Sequence, residues 1–503
     1  MEKASVSMSG QIPSTLSLAV SKIAGISTNS FKITPTTGSG SNTAGQQIRV
    51  LLPTAGFIHL PSTKLYFSVT TTVNGTRLPK FTSSLFQRVQ VLCGGVTISA
   101  GNPIHGIVES VKNIAKDEEK CLASEHPEMV LGLDYLGKIF DYGATGGQAT
   151  GAPESYSTGG ANGAGIFSVD LGDFFQSLHP NYIDLSLMGQ IEVVLTVAEN
   201  SVLSSVAGTF DNGVANSFSR DGAGGATFTV VNPVCVANMV SFLDSSYPMA
   251  LRQRILDQGY VQYHFNEHIT FQQSFNGNSR FNLAAASLNK LHTVFTLAGS
   301  LTQGGAVPIA GSACAAGSSA PSACSYPWNG AATLTNGAGN VAVSGGLQKY
   351  QGKFQQFKLP ATAPAQSVAN NNDGSAFDYS AAAALPVDLQ YRINSTQVPN
   401  MFMTPQQVCE VTKYANGLKE FKGINSYIEF LYNKFLMSYR FNLVTNPYDT
   451  PTISGLDSRN ANSMIEVVSQ GSNADLSNFN SIIVADITKL VRVGEGKQLE
   501  TIA

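Results

Sequence analysis

Short stretches of alternating apolar and polar residues, each closed by Gly, Asn, Pro or Ser, recur along the whole chain. Alternation with period two marks a half-buried strand, and many such stretches separated by turn signals predict an all-β sandwich or barrel. "QIRVLLP" (47–53), "KLYFSVTTTV" (64–73), "RVQVLCGGVTIS", "GIFSVDLGDFF", "YIDLSLMG", "QIEVVLTVA" and "ATFTVVNPVCVANMVSFL" read this way, as does "GYVQYHFNEHITFQQSF" further on. Helical spacing is rarer. Ile104, Ile107, Val111 and Ile114 predict a helix over 103–117, and shorter patterns predict helices at 247–256 and 405–420.

The chain divides near residue 245, where "ANMVSFLDSSY" ends and a new strand series begins after "PMALRQRIL". The halves share landmarks. "VNGTR" is followed by "SLFQRVQVLCGG" (84–95) in the first, and "FNGNSR" by "SLNKLHTVFTLAGS" (287–300) in the second. Each series has a hairpin-type Asn-Gly, a nearby Arg (Arg77, Arg280) and a Ser-Leu leading into a strand. This order predicts one β-domain built twice, with the two Ser-Leu segments as equivalent strands. The expected division is an arm over 1–44, a first domain over 45–245 and a second over 246–503. Residues 141–165 contain eight Gly, and 298–346 and 361–384 are similarly rich in Gly, Ala, Ser and Asn, which predicts long surface loops.

Composition changes the picture by what it withholds. Only 13% of the 503 residues are charged and the net charge is -3, so no broad basic field exists for nucleic acid. Lys3, Lys22, Lys32 and Arg49 are the only basic groups in the first fifty residues, too few for an RNA-neutralising arm. An uncharged surface rich in hydroxyls and amides suits packing against other protein surfaces, because little charge must be desolvated at contacts. No apolar run is long enough to span a bilayer, and the opening "MEKASVSMSGQIPSTLSLAV" lacks the basic start and apolar core of a secretory signal. Cysteines at 93, 121, 235, 314, 324 and 409 form no CxxC pair and are expected to be reduced thiols, although Cys314 and Cys324 are spaced to close a loop. In a protein made inside a cell, the sequons at Asn74 and Asn394 carry no glycan.

Candidate chemistry is sparse. His264 and His268, with Glu267 between them, sit at a spacing that on a helix could hold zinc. The surrounding pattern is a strand, where positions i and i+4 lie about 13 Å apart, too far to share one ion. His59, His105, His126, His179 and His292 stand alone in the sequence. No GxSxG elbow is present, and "GATGGQATG" lacks the Lys-Ser/Thr ending of a phosphate loop. "KDEEK" (116–120) reads as a solvated helix end, and Trp328 as a loop residue packing its own base. No catalytic, cofactor-binding or metal residue is assigned, and the chain is not expected to be an enzyme.

Several phrases resemble the double jelly-roll major capsid proteins of the tectivirus and adenovirus lineage, in particular the virophage and polinton-like members. They are "QQIRVLLPTAGFIHLPSTKLYFSVTTT", "SLFQRVQVLCGGVTIS" followed by a helix, "FSVDLGDFFQSLHPNYIDLSLMGQIEVVLTVAEN" and "VNPVCVANMVSFLDSSYPMALRQRIL". "LQYRINSTQVPN" and "SGLDSRNANSMIEV" are similar to the family's second half. The resemblance implies two tandem eight-stranded jelly rolls with a few short helices and long surface loops. It further implies a homotrimeric pseudo-hexagonal capsomer in the icosahedral shell of a DNA virus, assembled inside the infected host cell. Its partners would be neighbouring capsomers and minor capsid (penton or cement) proteins, with an inner membrane reached through the N-terminal arm. No sequence-specific nucleic-acid contact and no cofactor are implied. Three other classes compete with this reading. A secreted adhesin or carbohydrate-binding sandwich would be expected to carry a signal peptide. A β-sandwich hydrolase would need an acid or metal cluster, and a single-jelly-roll RNA-virus coat a basic arm.

Overall fold

A computed structural model of the chain describes residues 26–71, 81–113, 166–171, 182–202, 227–242, 259–297, 387–394, 396–417, 434–442, 455–459, 464–471 and 479–502, with a few short pieces between. Its main strands fall into two series. The first is β1 (Ile26–Ile33), β2 (Gln47–Leu51), β3 (Phe57–Thr71), β4 (Phe86–Cys93), β5 (Val96–Ser99), β6 (Ile166–Asp170), β7 (Ile191–Val197) and β8 (Phe228–Phe242). The second is β9 (Tyr260–Phe275), β10 (Asn278–Asn282), β11 (Leu288–Leu297), β12 (Asp388–Ile393), β13 (Thr396–Met403), β14 (Met437–Arg440), β15 (Met464–Gln470) and β16 (Phe479–Gly494).

The first series forms two antiparallel sheets, ordered β1-β8-β3-β6 and β2-β7-β4-β5. The second forms β9-β16-β11-β14 and β10-β15-β12-β13. Adding eight to every label of the first pair of sheets reproduces the second. The chain is thus two eight-stranded jelly rolls of one topology, called roll 1 and roll 2 below. In each roll the core is the period-two inner face of both sheets. Roll 1 buries Val50, Phe67, Val91, Leu195 and Cys235, and roll 2 buries Phe295, Tyr391, Val467 and Ile483.

Duplication is therefore a property of topology, but the equivalence expected from the Ser-Leu echo is wrong. "SLFQRVQVLCGG" carries β4, whose counterpart is β12, "DLQYRI". "SLNKLHTVFTLAGS" carries β11, the counterpart of β3. The Asn-Gly landmarks differ likewise: Asn276-Gly277 turns β9 into β10, whereas Asn74-Gly75 falls between β3 and β4, outside the described residues. Hairpin chemistry marks a local turn and carries no record of which turn of the fold it is. The arm expected over 1–44 also needs correction, because Ile26–Ile33 pairs along its length with β8, from Ile26↔Phe242 to Ile33↔Cys235.

The helix expected over 103–117 is α1 (His105–Asn113), with the remainder outside the described residues, and that over 405–420 is α2 (Pro405–Ala415). Each follows the fifth strand of its roll. A capping box fixes the start of α2: the Thr404 hydroxyl accepts from the Gln407 amide, the Gln407 side chain accepts from the Thr404 amide, and Pro405 occupies the first turn. The helix expected at 247–256 lies outside the described residues except at single positions, as do 141–165, "KDEEK", His126, Trp328, Cys121, Cys314 and Cys324. Cys93, Cys235 and Cys409 are free thiols.

Between β5 and α1, Gly101 has φ +67°, and a Cβ there would lie 1.9 Å from the Val89 carbonyl oxygen. Gly101→Ala combines left-handed strain with a backbone clash, and should cost about 2–4 kcal/mol, read as a Tm several degrees lower. An unchanged Tm would show that this turn relaxes freely.

Candidate functional site

One cluster of ionisable side chains drawn from several elements lies at the joint where roll 1 meets roll 2. Strands β9 and β16 pair without a register shift from Tyr260↔Gly494 to Phe275↔Phe479. At about 3.4 Å per residue they run for roughly 50 Å, more than one sandwich needs. Along one half their inner side chains, such as Phe275, Ile483 and Ile487, fill roll 2. Along the other half, Tyr263, Phe265, Val491 and Val493 join the core of roll 1. Ser177–His179 of roll 1 adds a short strand to the edge of β9 at His264 and Phe265.

The outer face of the same sheet is covered by α1. Ile107, Val108 and Val111 pack on Val294, Leu436, Ile482 and Val484, all nearly inaccessible to solvent. Polar contacts pin the β5 side of the joint. Lys489 Nζ donates to the Ile98 carbonyl (2.7 Å) and to Glu267 (3.2 Å), and Ser99 donates to Glu267 (3.3 Å). Asn102 Nδ2 donates to the His268 carbonyl (2.6 Å), while its Oδ1 accepts from Thr270 (3.1 Å).

Beneath α1 the sheet presents a row of ionisable side chains. His268, Asp486, Lys290 and Arg440 are cross-strand neighbours on β9, β16, β11 and β14. The next row holds Thr270, Val484, His292 and Ser438, with a 2.7 Å contact between His292 Nδ1 and the Ser438 hydroxyl. From above, α1 contributes His105, Glu109 and Lys112, the last two joined at 3.0 Å. Burial and the nearby Lys112 push the His268 imidazole down to about 3, against the pull of Glu109. Burial and Lys290 take His292 to about 3 as well. Burial alone would raise Glu109, but Lys112 and His105 beside it hold its carboxyl at about 2. Burial lifts Asp486 to about 6 in spite of Lys290 and Lys112. Charges so placed lock one surface to another. Among the described residues no group of three or more His, Cys, Asp or Glu is arranged to hold a metal ion.

The histidines singled out in the sequence scatter. His264 and His268 lie on β9, at strand spacing, and Glu267 points to Ser99 and Lys489. The His59 ring packs at a tilt against Tyr182, centroids 4.8 Å apart, and His179 lies in the short strand beside β9. Among the described residues His105, His268 and His292 converge, and they do so across an interface. Sequence reasoning missed Glu109, Lys290, Asp486 and Lys489. Their one signal was a charge inside an apolar run, as in "HGIVESVKN" and "SIIVADITKL".

Two outcomes follow for the joint. Ile107→Ala removes a fully covered side chain and should cost about 2–4 kcal/mol, seen as a lower Tm by calorimetry. For pH, His268 and His292 have folded values below their ordinary 6.5, so the stability they contribute is complete above pH 6.5 and drains away toward pH 3. Asp486 opposes them, adding stability as pH falls from about 6 toward its ordinary 3.8. Two imidazoles outweigh one carboxyl, so Tm should fall between pH 7 and 4.5. His268→Gln with His292→Gln should flatten that fall, and Asp486→Asn should raise Tm at pH 8. A Tm independent of pH in the native protein would contradict this assignment.

No protein-family model and no curated protein matches the chain. Solved structures do. The PBCV-1 virus capsid quasi-atomic model is similar at 13% identity over 95% of this chain and 97% of that one, with a TM-score of 0.50. The Faustovirus major capsid protein matches at 11% identity over 92% and 90% of the two chains, TM-score 0.45. The mavirus major capsid protein matches at 11% identity over 98% and 94%, TM-score 0.41. At such identities likeness is a matter of fold, and the strand order of both rolls agrees with it: this chain has the double jelly-roll fold, the fold of the PBCV-1 capsid protein.

Proposed function

We propose that this chain is the structural major capsid protein of a DNA virus, forming homotrimeric, pseudo-hexagonal capsomers that tile an icosahedral shell assembled inside the infected host cell. The observation that carries this reading is the repeat itself. Two rolls of identical strand order are welded through a doubly covered sheet, and the likeness to the PBCV-1 capsid spans nearly the whole of both chains. A weld of that kind makes a rigid block, and what a shell asks of its subunit is a rigid block with matching flanks. The low charge supports the same reading, since 13% charged residues leaves flanks that desolvate cheaply. The polar groups converging at the joint are engaged with one another and set how the rolls seat, which favours a non-enzymatic role.

The partners we assign are neighbouring capsomers and minor capsid proteins of the penton or cement kind, with no sequence-specific contact to nucleic acid. Residues 1–25, outside the described residues, are assigned to dock on a neighbour, a minor capsid protein or an inner membrane. Light scattering of the purified protein should give three chains of 53.1 kDa, about 160 kDa, and negative-stain images should show hexagonal blocks. A stable monomer would overturn the capsomer. Removing residues 1–25 should leave the trimer and its Tm intact while shell formation is lost; shells formed at the normal yield would refute the docking role.

A further inference from the structure

The seat of α1 on the sheet of roll 2 joins two kinds of contact that answer acid differently. Ile107, Val108 and Val111 lie on Val294, Leu436, Ile482 and Val484, a contact indifferent to pH. Beside it stand His268 and His292. Facing them are His105, Glu109 and Lys112 from α1, Asp486 from β16, Lys290 from β11 and Arg440 from β14. In neutral solution Lys112, Lys290 and Arg440 are set against the carboxylates of Glu109 and Asp486, and both imidazoles are uncharged. Acid discharges Asp486 and charges the imidazoles, so positive charge accumulates under a helix that screens it from water. The roll cores are built otherwise, from apolar side chains. The buried acids Asp184 and Glu466 are engaged locally, Asp184 by the Ser186 amide and hydroxyl (2.9 and 2.6 Å) and Glu466 by Arg280 (2.6 Å).

We infer that α1 is an acid-released latch: protonation of the row beneath it frees the helix from the sheet of roll 2 while both rolls stay folded. The inference goes beyond the capsid reading and holds for a single chain in any state of assembly. Two features confine the opening to α1. β9 and β16 run unbroken through both rolls, with Tyr263, Phe265, Val491 and Val493 in the core of roll 1, so the rolls stay joined when the helix lifts. α1 is tethered by its contact with Thr82–Leu85 of its own roll, but its nine residues are too few to stay helical in water once the seat is lost. The released chain is a hinged pair of rolls with Val294, Leu436, Ile482 and Val484 bared. An imidazole taken from 6.5 to about 3 weakens the seat about a hundredfold at pH 4.5, and both His268 and His292 are so placed. Asp486, raised from 3.8 to about 6, returns about thirtyfold over the same range, less than one imidazole removes. Glu109, held at about 2, adds to the loss only as the pH nears its ordinary 4.5.

The test is amide hydrogen exchange of the full chain at pH 7 and pH 4.5, corrected for the intrinsic rate at each. On acidification residues 105–113 should lose about a hundredfold in protection, while 191–197 and 464–470, in the second sheets of the two rolls, keep theirs. The loss should reverse on return to pH 7. Unchanged protection of 105–113 at pH 4.5 would overturn the latch. So would its loss in step with the two sheets, since that is unfolding of the whole chain. His268→Gln with His292→Gln should keep α1 protected at pH 4.5, and each replacement alone should remove part of the response. Ile107→Ala should loosen α1 equally at both pH values, because it takes away apolar contact alone. A full acid response in the double glutamine variant, or in both single ones, would contradict the assignment.

Discussion

Strands β9 and β16 lie side by side over their whole length, and their faces meet three separate sets of apolar side chains. A sheet apolar on both faces cannot be left open to water on either. At roughly 25 cal/mol per Å² of apolar surface, uncovering the four side chains beneath α1 would cost several kcal/mol. That requirement ties the rolls together. Roll 2 is incomplete until roll 1 lends it a helix, and the core of roll 1 is incomplete until Tyr263, Phe265, Val491 and Val493 enter it.

The same requirement explains why two helices in one topological place differ so much. "HGIVESVKN" needs apolar residues on more than one side, since one face rests on its own roll and another on its neighbour. "PQQVCEVTKYA" is amphipathic, with Val408, Thr412 and Ala415 turned inward and Gln406, Glu410 and Tyr414 outward. One helix is built as a joint within the chain and the other as a surface.

Charge inside the joint serves a different end from strength. Removing ions from water costs more than most pairings return, so Glu109, Lys112, Asp486 and Lys290 do not bind the rolls more tightly than apolar residues would. Their effect is on fit. A helix shifted along the sheet would leave one of these groups buried against apolar neighbours, and the penalty for an uncompensated charge singles out one seating. Ordinary composition hides this. The charged fraction of the chain is low, yet Glu109, Lys112, Glu267, Lys290, Asp486 and Lys489 all lie where the two rolls touch.

Much of this fold was legible in the sequence because period-two alternation is local. β2, β3, β4, β7, β8 and β9 were each predicted as strands, and the spacing of Ile104, Ile107 and Val111 located α1. β1 was not, because "ISTNSFKI" is an edge strand exposed on both faces and has no alternation to read. It becomes a strand by pairing with residues some two hundred positions later. For the same reason the two Ser-Leu segments, alike as words, are different strands. The amino-acid order by itself determined that the chain makes strands, where most of them lie, and that the strands come in two series. Which strand answers to which, which charges are buried, and which helix is a weld were decided by the tertiary structure, because each depends on what a residue meets across the fold.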